Sequence, residues 1–145
     1  MNDTAVFCIF TLLIFVGIAG FDSYRKKRKY ASFLSENEAA EFFCYTNRKN
    51  SSHYVNTRIL PELDKNIHII LLNGKTPVSE FDEKYISQML YNIEDVGFPN
   101  LMKIAKGKVF DISLHDELYN TINQDKPAEE FMAILNQKLG ELRRV

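Results

Sequence analysis

Residues 97–112, GFPNLMKIAKGKVFDI, contain two short apolar runs on either side of Lys106-Gly107. Residues 101–105 and 108–112 are each long enough for a β-strand, and a glycine turn between two such runs is typical of a β-hairpin. The sequence therefore predicts an antiparallel hairpin, and the break at Gly97-Phe98-Pro99 comes directly before it.

Two further strands are predicted N-terminal to this hairpin. Residues 42–46 have strand composition, and residues 67–72 form a continuous apolar run that predicts a strand buried on both faces. Apolar residues at helical spacing between Val55 and Leu63 predict an amphipathic helix between the two strands, with Pro61 disturbing its last turn.

Three more helices are predicted from apolar residues at three- and four-residue spacings. They cover residues 81–93, residues 114–122 with Ser113 as a possible N-cap, and residues 131–142 after Pro127. The order strand, helix, strand, helix, hairpin, helix is typical of an α/β fold, in which a right-handed crossover makes the first two strands parallel. We therefore expect a mixed four-stranded sheet with helices on both faces.

An uncharged apolar segment lies near the N-terminus. Residues 5–21 include no charged side chain, and 17 residues make about 25 Å of α-helix, which suffices to cross a bilayer. The preceding residues 1–4 are acidic, whereas a cleaved signal peptide carries cations there. Five consecutive cations follow the segment: Arg25, Lys26, Lys27, Arg28 and Lys29. Since such blocks stay on the cytoplasmic side and contact lipid headgroups, the pattern predicts a single-pass membrane protein with its N-terminus outside and its C-terminal domain cytoplasmic.

The chain is thus expected to have three parts. Residues 1–24 form a transmembrane anchor, and residues 25–40 form a basic juxtamembrane linker and a short helix. The capping-box sequence Ser35 to Glu38 predicts this helix through about Glu41, either starting there or continuing from the juxtamembrane segment. Residues 41–145 form one α/β domain. The net charge of −1 divides into +3 before residue 30, where five cations face two aspartates, and −4 after it. Nucleic acid is therefore not expected as a partner.

The order of elements around Gly97-Phe98-Pro99 resembles the C-terminal half of a thioredoxin-like domain. In that family a cis-proline opens the third strand of the core, and a hairpin with a glycine turn and a C-terminal amphipathic helix follow. Pro99, Gly107 and residues 131–142 match these features. The resemblance covers residues 41–142 and implies a three-layer domain. It also implies that backbone groups near Pro99 can pair with an extended peptide.

The chain departs from this family at the start of the helix after the first core strand, where thioredoxins carry C-x-x-C. Here that position falls near four residues without a thiol, namely Asn50, Ser51, Ser52 and His53. Dithiol exchange needs a thiolate and a resolving thiol. Cys44 lies within a predicted strand instead and is interpreted as a buried structural thiol. The resemblance therefore implies a redox-inactive domain.

No catalytic residue, cofactor site or metal site is predicted. The two cysteines, Cys8 and Cys44, and the three scattered histidines have no metal-ligand spacing, and the sequence at Gly74-Lys75 lacks the earlier glycine of a phosphate-binding loop. The predicted site is instead a partner-binding face. It is expected to contain Asn50, Ser51, Ser52, His53, Gly97, Phe98 and Pro99.

The sequence accordingly predicts an interaction or accessory module that binds another membrane or cell-surface protein and contacts membrane lipid. Two alternatives stay open at this level. One is a monothiol oxidoreductase or peroxide-handling enzyme that uses Cys44. The other is a structural membrane tether whose domain has no binding groove.

Overall fold

The computed structural model describes residue 18 and residues 20–145 in full, and it places residues 3–17 and 19 within the first helix only. The predicted transmembrane anchor, residues 1–24, thus lies largely outside the described residues. Within the described part, no helix combines the length and apolar character needed to cross a membrane. The chain divides into two compact units, residues 1–36 and residues 37–145.

The first unit is one helix, α1 (Asp3–Glu36). No glycine or proline occurs between Phe21 and Glu36, so nothing in the sequence interrupts the helix. The basic juxtamembrane segment is consequently helical. Of the two possibilities for the helix at Ser35, the structure has the one that continues from the juxtamembrane segment, and this helix ends at Glu36 rather than near Glu41.

The second unit is an α/β domain on a mixed sheet of five strands in the order β3-β2-β1-β4-β5. The central strand β1 pairs in parallel with β2 and antiparallel with β4, and β5 and β3 form the two edges by antiparallel pairing. The strands are β1 (Glu41–Thr46), β2 (His68–Asn73), β3 (Thr76–Val78), β4 (Asn100–Ala105) and β5 (Lys108–Ser113).

Four helices accompany this sheet. The first of them, α2, continues directly as a five-residue π-helix, Val55–Ile59, and a 3₁₀ turn, Leu60–Glu62, in which Pro61 occupies an early position. The helix predicted over this region is therefore present, although it is irregular. The four are α2 (Lys49–Tyr54), α3 (Glu83–Tyr91), α4 (His115–Asn123) and α5 (Ala128–Arg143).

The sheet buries apolar side chains on both faces. Phe43 and Leu101 pack in one core with side chains of the π-helix, α4 and α5. In this core, Phe131 of α5 has no exposed surface. Since successive strand residues point to opposite faces, Phe42 and Cys44 lie on the other face, where the ring of Phe42 contacts Phe81 at 5.5 Å between centroids. This two-sided burial explains the continuous apolar runs of β1 and β2.

The fifth strand, β3, corrects the prediction of a four-stranded sheet. Gly74, with φ +65°, turns the chain so that Leu72 pairs with Pro77. Proline has no N–H to donate and is tolerated on an edge strand such as β3. The predicted hairpin is confirmed as β4 and β5, with Gly107 at φ +69° in its turn, and the Phe98-Pro99 bond before it is cis.

Candidate functional site

A groove of about 290 Å³ lies beside the turn that leads into β4. We call it the Phe98 groove, and its described lining residues are Thr46, Arg48, Val96, Gly97, Phe98, His115 and Tyr119.

Three separate parts of the domain supply these residues. Thr46 is the last residue of β1, and Arg48 directly precedes α2. His115 and Tyr119 are four residues apart on α4, with ring centroids 4.6 Å from each other. The remaining three come from the loop between α3 and β4. The groove therefore forms where the central strand ends, next to the chain that enters β4.

The loop between α3 and β4 is fixed by two carboxylates. The carboxylate of Asp111 on β5 accepts hydrogen bonds from the backbone N–H groups of Glu94 and Asp95, at 2.9 Å and 3.0 Å. The carboxylate of Asp95 in turn accepts one from the backbone N–H of Ser113 at 2.8 Å. Hydrogen bonds to ionised acceptors are stronger than neutral ones. The two carboxylates thus tie the loop to the edge strand.

A buried amide fixes the same loop from beneath. Asn100 has no exposed surface, and its Nδ2 donates to the carbonyl oxygens of Asp95 at 2.9 Å and Gly97 at 3.3 Å. The loop has no regular secondary structure, and this amide and the two carboxylates hold its conformation. A side chain on β4 and one on β5 therefore set the shape of the groove wall.

Gly97 lies close against the end of β5. A Cβ atom built on Gly97 would be 2.3 Å from Oγ of Ser113 and 3.0 Å from Cβ of His115. Contacts under 3.0 Å force a displacement of one partner. Only glycine fits here without moving the loop or the residues at the start of α4.

Val96 and Phe98 present free backbone groups at the groove. Among the described residues, their N–H and C=O groups form no hydrogen bond. The side chain of Val96 is also 80% exposed. Backbone groups at an exposed position bond to water in the free protein, and Val96 and Phe98, which are two residues apart, can exchange that water for hydrogen bonds to an extended chain. The loop can therefore act as a docking strand for an extended segment.

The structure brings together only part of the predicted binding face. Gly97 and Phe98 line the groove, whereas Pro99 is buried and its carbonyl oxygen accepts a hydrogen bond from the backbone N–H of Leu114 at 2.8 Å. The residues Asn50, Ser51, Ser52 and His53 lie in α2 and are not among the described lining residues.

The groove instead uses residues just before α2. Ser51 is buried, and its Oγ donates to the carbonyl oxygen of Arg48 at 3.2 Å, so it supports the helix start from inside the fold. Arg48 and Thr46 reach the groove. The sequence did not predict Thr46, Arg48 or the two α4 residues as part of the binding face. Arg48 lies between the end of a predicted strand and the helix that follows it, and this position is a signal that could have indicated it.

Cys44 is isolated from this groove. It lies in the middle of β1 with no exposed surface, and burial raises the pKa of its thiol to about 12. A thiol with such a pKa is un-ionised at neutral pH and is a poor nucleophile. Cys44 therefore has the surroundings of a structural residue, as interpreted from the sequence, and Cys8 lies outside the described residues.

Among the described residues, no three His, Cys, Asp or Glu side chains are grouped so that they could hold a metal ion. In comparisons with protein-family models, curated proteins and solved structures, nothing matches this chain.

The carboxylate of Asp111 supplies the first prediction. Replacing Asp111→Ala leaves the N–H groups of Glu94 and Asp95 without this acceptor, so we expect the free energy of unfolding to fall by about 1–3 kcal/mol. Urea unfolding of the full chain in detergent measures the loss, and hydrogen exchange of the Val96 and Phe98 amides measures the loosened loop. Glu94→Gln is the control, because only its backbone N–H serves this contact. Equal stability of Asp111→Ala and Glu94→Gln would contradict the role of the carboxylate.

Proposed function

We propose that this chain is a single-pass membrane protein whose thioredoxin-like, redox-inactive domain acts as an interaction module. Its N-terminus lies outside, and its domain lies in the cytoplasm. The domain binds an extended segment of another membrane or membrane-associated protein in the Phe98 groove.

The order of the strands supports the thioredoxin-like assignment. The order of elements predicts a parallel first pair of strands and an antiparallel hairpin, and the family resemblance implies a proline at the start of the third strand. In this chain β2, β1, β4 and β5 are neighbours in that order and with those directions, and Pro99 directly precedes β4. The short strand β3 is an addition at the opposite edge.

The observation that carries the binding function is the unpaired backbone of Val96 and Phe98 at an open groove. A loop with free N–H and C=O groups offers main-chain hydrogen bonds to an extended partner, and adjoining pockets select its side chains. The carboxylates of Asp95 and Asp111 and the amide of Asn100 hold this loop in place before a partner arrives. Such preorganisation reduces the entropy lost on binding.

The two alternatives are less well supported by these features. A monothiol oxidoreductase needs an accessible thiolate, whereas Cys44 is buried and its thiol pKa is raised to about 12 by burial. A simple tether needs no groove, whereas this domain has one beside the turn that leads into β4.

The arrangement of the cations along α1 supports the membrane assignment. Arg25, Lys26, Lys27, Arg28 and Lys29 are all exposed, and five consecutive positions encircle an α-helix, since each residue advances by about 100°. A helix that lies on a membrane surface keeps its cations on one face. A ring of cations suits a helix that leaves the bilayer at a steep angle, with headgroups on every side.

Photo-cross-linking tests the partner-binding function. With p-benzoylphenylalanine at position 96 of the full chain in its native cells, we expect a discrete adduct with a membrane or membrane-associated protein. Val78 provides the matched control, because it is also an exposed valine, at 54%, but lies in the edge strand β3. The same adduct from position 78, or none from position 96, would overturn the proposal.

The cation ring predicts the orientation in the membrane. Replacing all five residues 25–29 by Gln removes the charge that holds this end in the cytoplasm, so a large fraction of the domains should become accessible to protease added outside intact cells. The wild-type domain should stay protected. The control replaces five exposed domain lysines by Gln, namely Lys65, Lys75, Lys106, Lys108 and Lys126. Charges far from a span have little influence on topology, so this control should keep the wild-type protection.

A further inference from the structure

We infer that the Phe98 groove selects a partner segment with an acidic side chain, which pairs with Arg48, and an apolar side chain two residues away. The inference rests on the proposed function and adds the chemistry of the segment that is bound.

The charge of the groove lining is opposite in sign to the net charge of the domain. Residues after position 30 carry a net charge of −4, yet the described lining of the Phe98 groove includes Arg48 and no carboxylate. Two other grooves of the domain, of about 430 Å³ and about 590 Å³, differ in this respect. Their linings include Glu94, Asp111 and Glu141 in the first, and Glu62 and Glu129 in the second.

Arg48 has no carboxylate partner within the described part of the chain, and its side chain is exposed. Arg143 shows the contrast, since Glu41 holds its guanidinium through two hydrogen bonds of 2.7 Å and Asp64 lies 3.4 Å away. The guanidinium of Arg48 therefore keeps its donors for a ligand. A planar guanidinium binds a carboxylate through two parallel hydrogen bonds.

The groove lining also includes apolar and aromatic side chains. Val96 is 80% exposed, and Phe98 and Tyr119 lie in the same lining. His115 does not add a free cation, because its Nδ1 lies 3.0 Å from a carboxylate oxygen of Asp116. A segment that matches this lining needs one carboxylate for Arg48 and one apolar side chain for Val96, Phe98 and Tyr119.

The spacing of these two side chains follows from strand geometry. A segment that pairs with the backbone of Val96 and Phe98 is extended, and its residues i and i+2 point to the same side. The nearest two residues that both face the groove are separated by one residue, and we assign the acidic and apolar side chains to such a pair. Because the acidic group belongs to an extended stretch, we assign it to an Asp or Glu side chain of the partner rather than to a chain terminus.

Peptide selection tests this inference. The full chain, in nanodiscs of phosphatidylcholine without anionic lipid, is used to select binders from a displayed library of random eight-residue peptides. Arg48→Glu and Arg58→Glu are selected in parallel, the latter as a charge-matched control outside the groove. We expect Asp or Glu two residues from an apolar residue with the wild type and with Arg58→Glu, and Lys or Arg in its place with Arg48→Glu.

Synthetic copies of the selected peptides then separate the sources of the carboxylate. Replacing the selected Glu by Gln should weaken binding to the wild type about fivefold to tenfold in fluorescence anisotropy, whereas amidation of the peptide C-terminus should have no effect. This comparison needs no protein variant and stands even if Arg48→Glu is unstable.

The outcomes distinguish the inference from the function beneath it. The selected peptides are also tested for binding to the variant Gly97→Ala. The inference is overturned, and the proposed function stands, if the peptides lose binding to this variant but show no acidic preference or bind through their C-terminal carboxylate. If no peptide depends on Gly97, the groove is not a binding site and the proposed function itself fails.

Discussion

Gly97→Ala is expected to lower the free energy of unfolding by about 1–3 kcal/mol and to abolish partner cross-linking at the Phe98 groove. The added Cβ would lie 2.3 Å from Oγ of Ser113 and 3.0 Å from Cβ of His115, so the Ser113 side chain, the loop or the start of α4 must move. His115 lines the groove, and the loop carries the free backbone groups of Val96 and Phe98. Urea unfolding and cross-linking from position 96 measure the two effects.

Two further variants make this prediction specific. Gly140→Ala is the control, because nothing lies within 4 Å of its added Cβ in α5, and it should raise stability by about 0.5–1 kcal/mol through helix propensity. Adding Ser113→Ala to Gly97→Ala removes the closest atom and should restore part of the lost stability. If Gly97→Ala kept both wild-type stability and wild-type cross-linking, the close approach at Gly97 would have no functional consequence.

Alkylation of Cys44 in the native protein is expected to be about a thousandfold slower than that of an exposed cysteine at neutral pH, because the thiolate fraction falls tenfold for each unit of pKa. Burial raises the pKa of this thiol to about 12 and also blocks the approach of the reagent. Mass spectrometry after iodoacetamide treatment of a Cys8→Ser chain follows this single thiol. Addition of guanidinium chloride should make the reaction complete.

An exposed reference thiol shows whether slow alkylation is a property of Cys44 or of the reagent. Asn50→Cys in the Cys8→Ser background places a thiol at an exposed position of α2, so the two rates can be compared within one protein. Rapid, stoichiometric modification of native Cys44 would favour the monothiol oxidoreductase over the interaction module. If the domain is redox-inactive as proposed, Cys44 stays protected while the thiol introduced at position 50 reacts.

The elements with strong local patterns were predictable. Strands β1 and β2, the hairpin of β4 and β5, and helix α5 follow from apolar runs, a glycine turn and an apolar stripe, as the sequence indicated. Strand β3 was not predictable, because Pro77 and Val78 form a strand only by pairing with the edge of β2. The capping-box sequence at Ser35 does not start a helix, because α1 continues through it without a break.

The candidate site divides in the same way. Gly97 and Phe98 were expected at a binding face because the order of elements around Gly97-Phe98-Pro99 resembles that of a thioredoxin-like domain, whereas the tripeptide by itself indicates only a turn ahead of a strand. Arg48 and Tyr119 could not be predicted, since sheet pairing and the packing of α4 bring them to that turn from far along the chain. Asp111 supports the loop through hydrogen bonds across 17 and 16 residues, which no local pattern reports.

The sequence by itself determined the alternation of strands and helices, the uncharged segment before five cations, and the lack of a C-x-x-C motif at α2. These features depend on residue type and on spacing over a few neighbours, which are fixed before the chain folds. Only the tertiary structure decided the close approach of Gly97 to Ser113 and the cationic lining of the groove. Those features require the sheet order β2-β1-β4-β5, because it alone places the ends of β1 and β5 and the start of α4 around one loop.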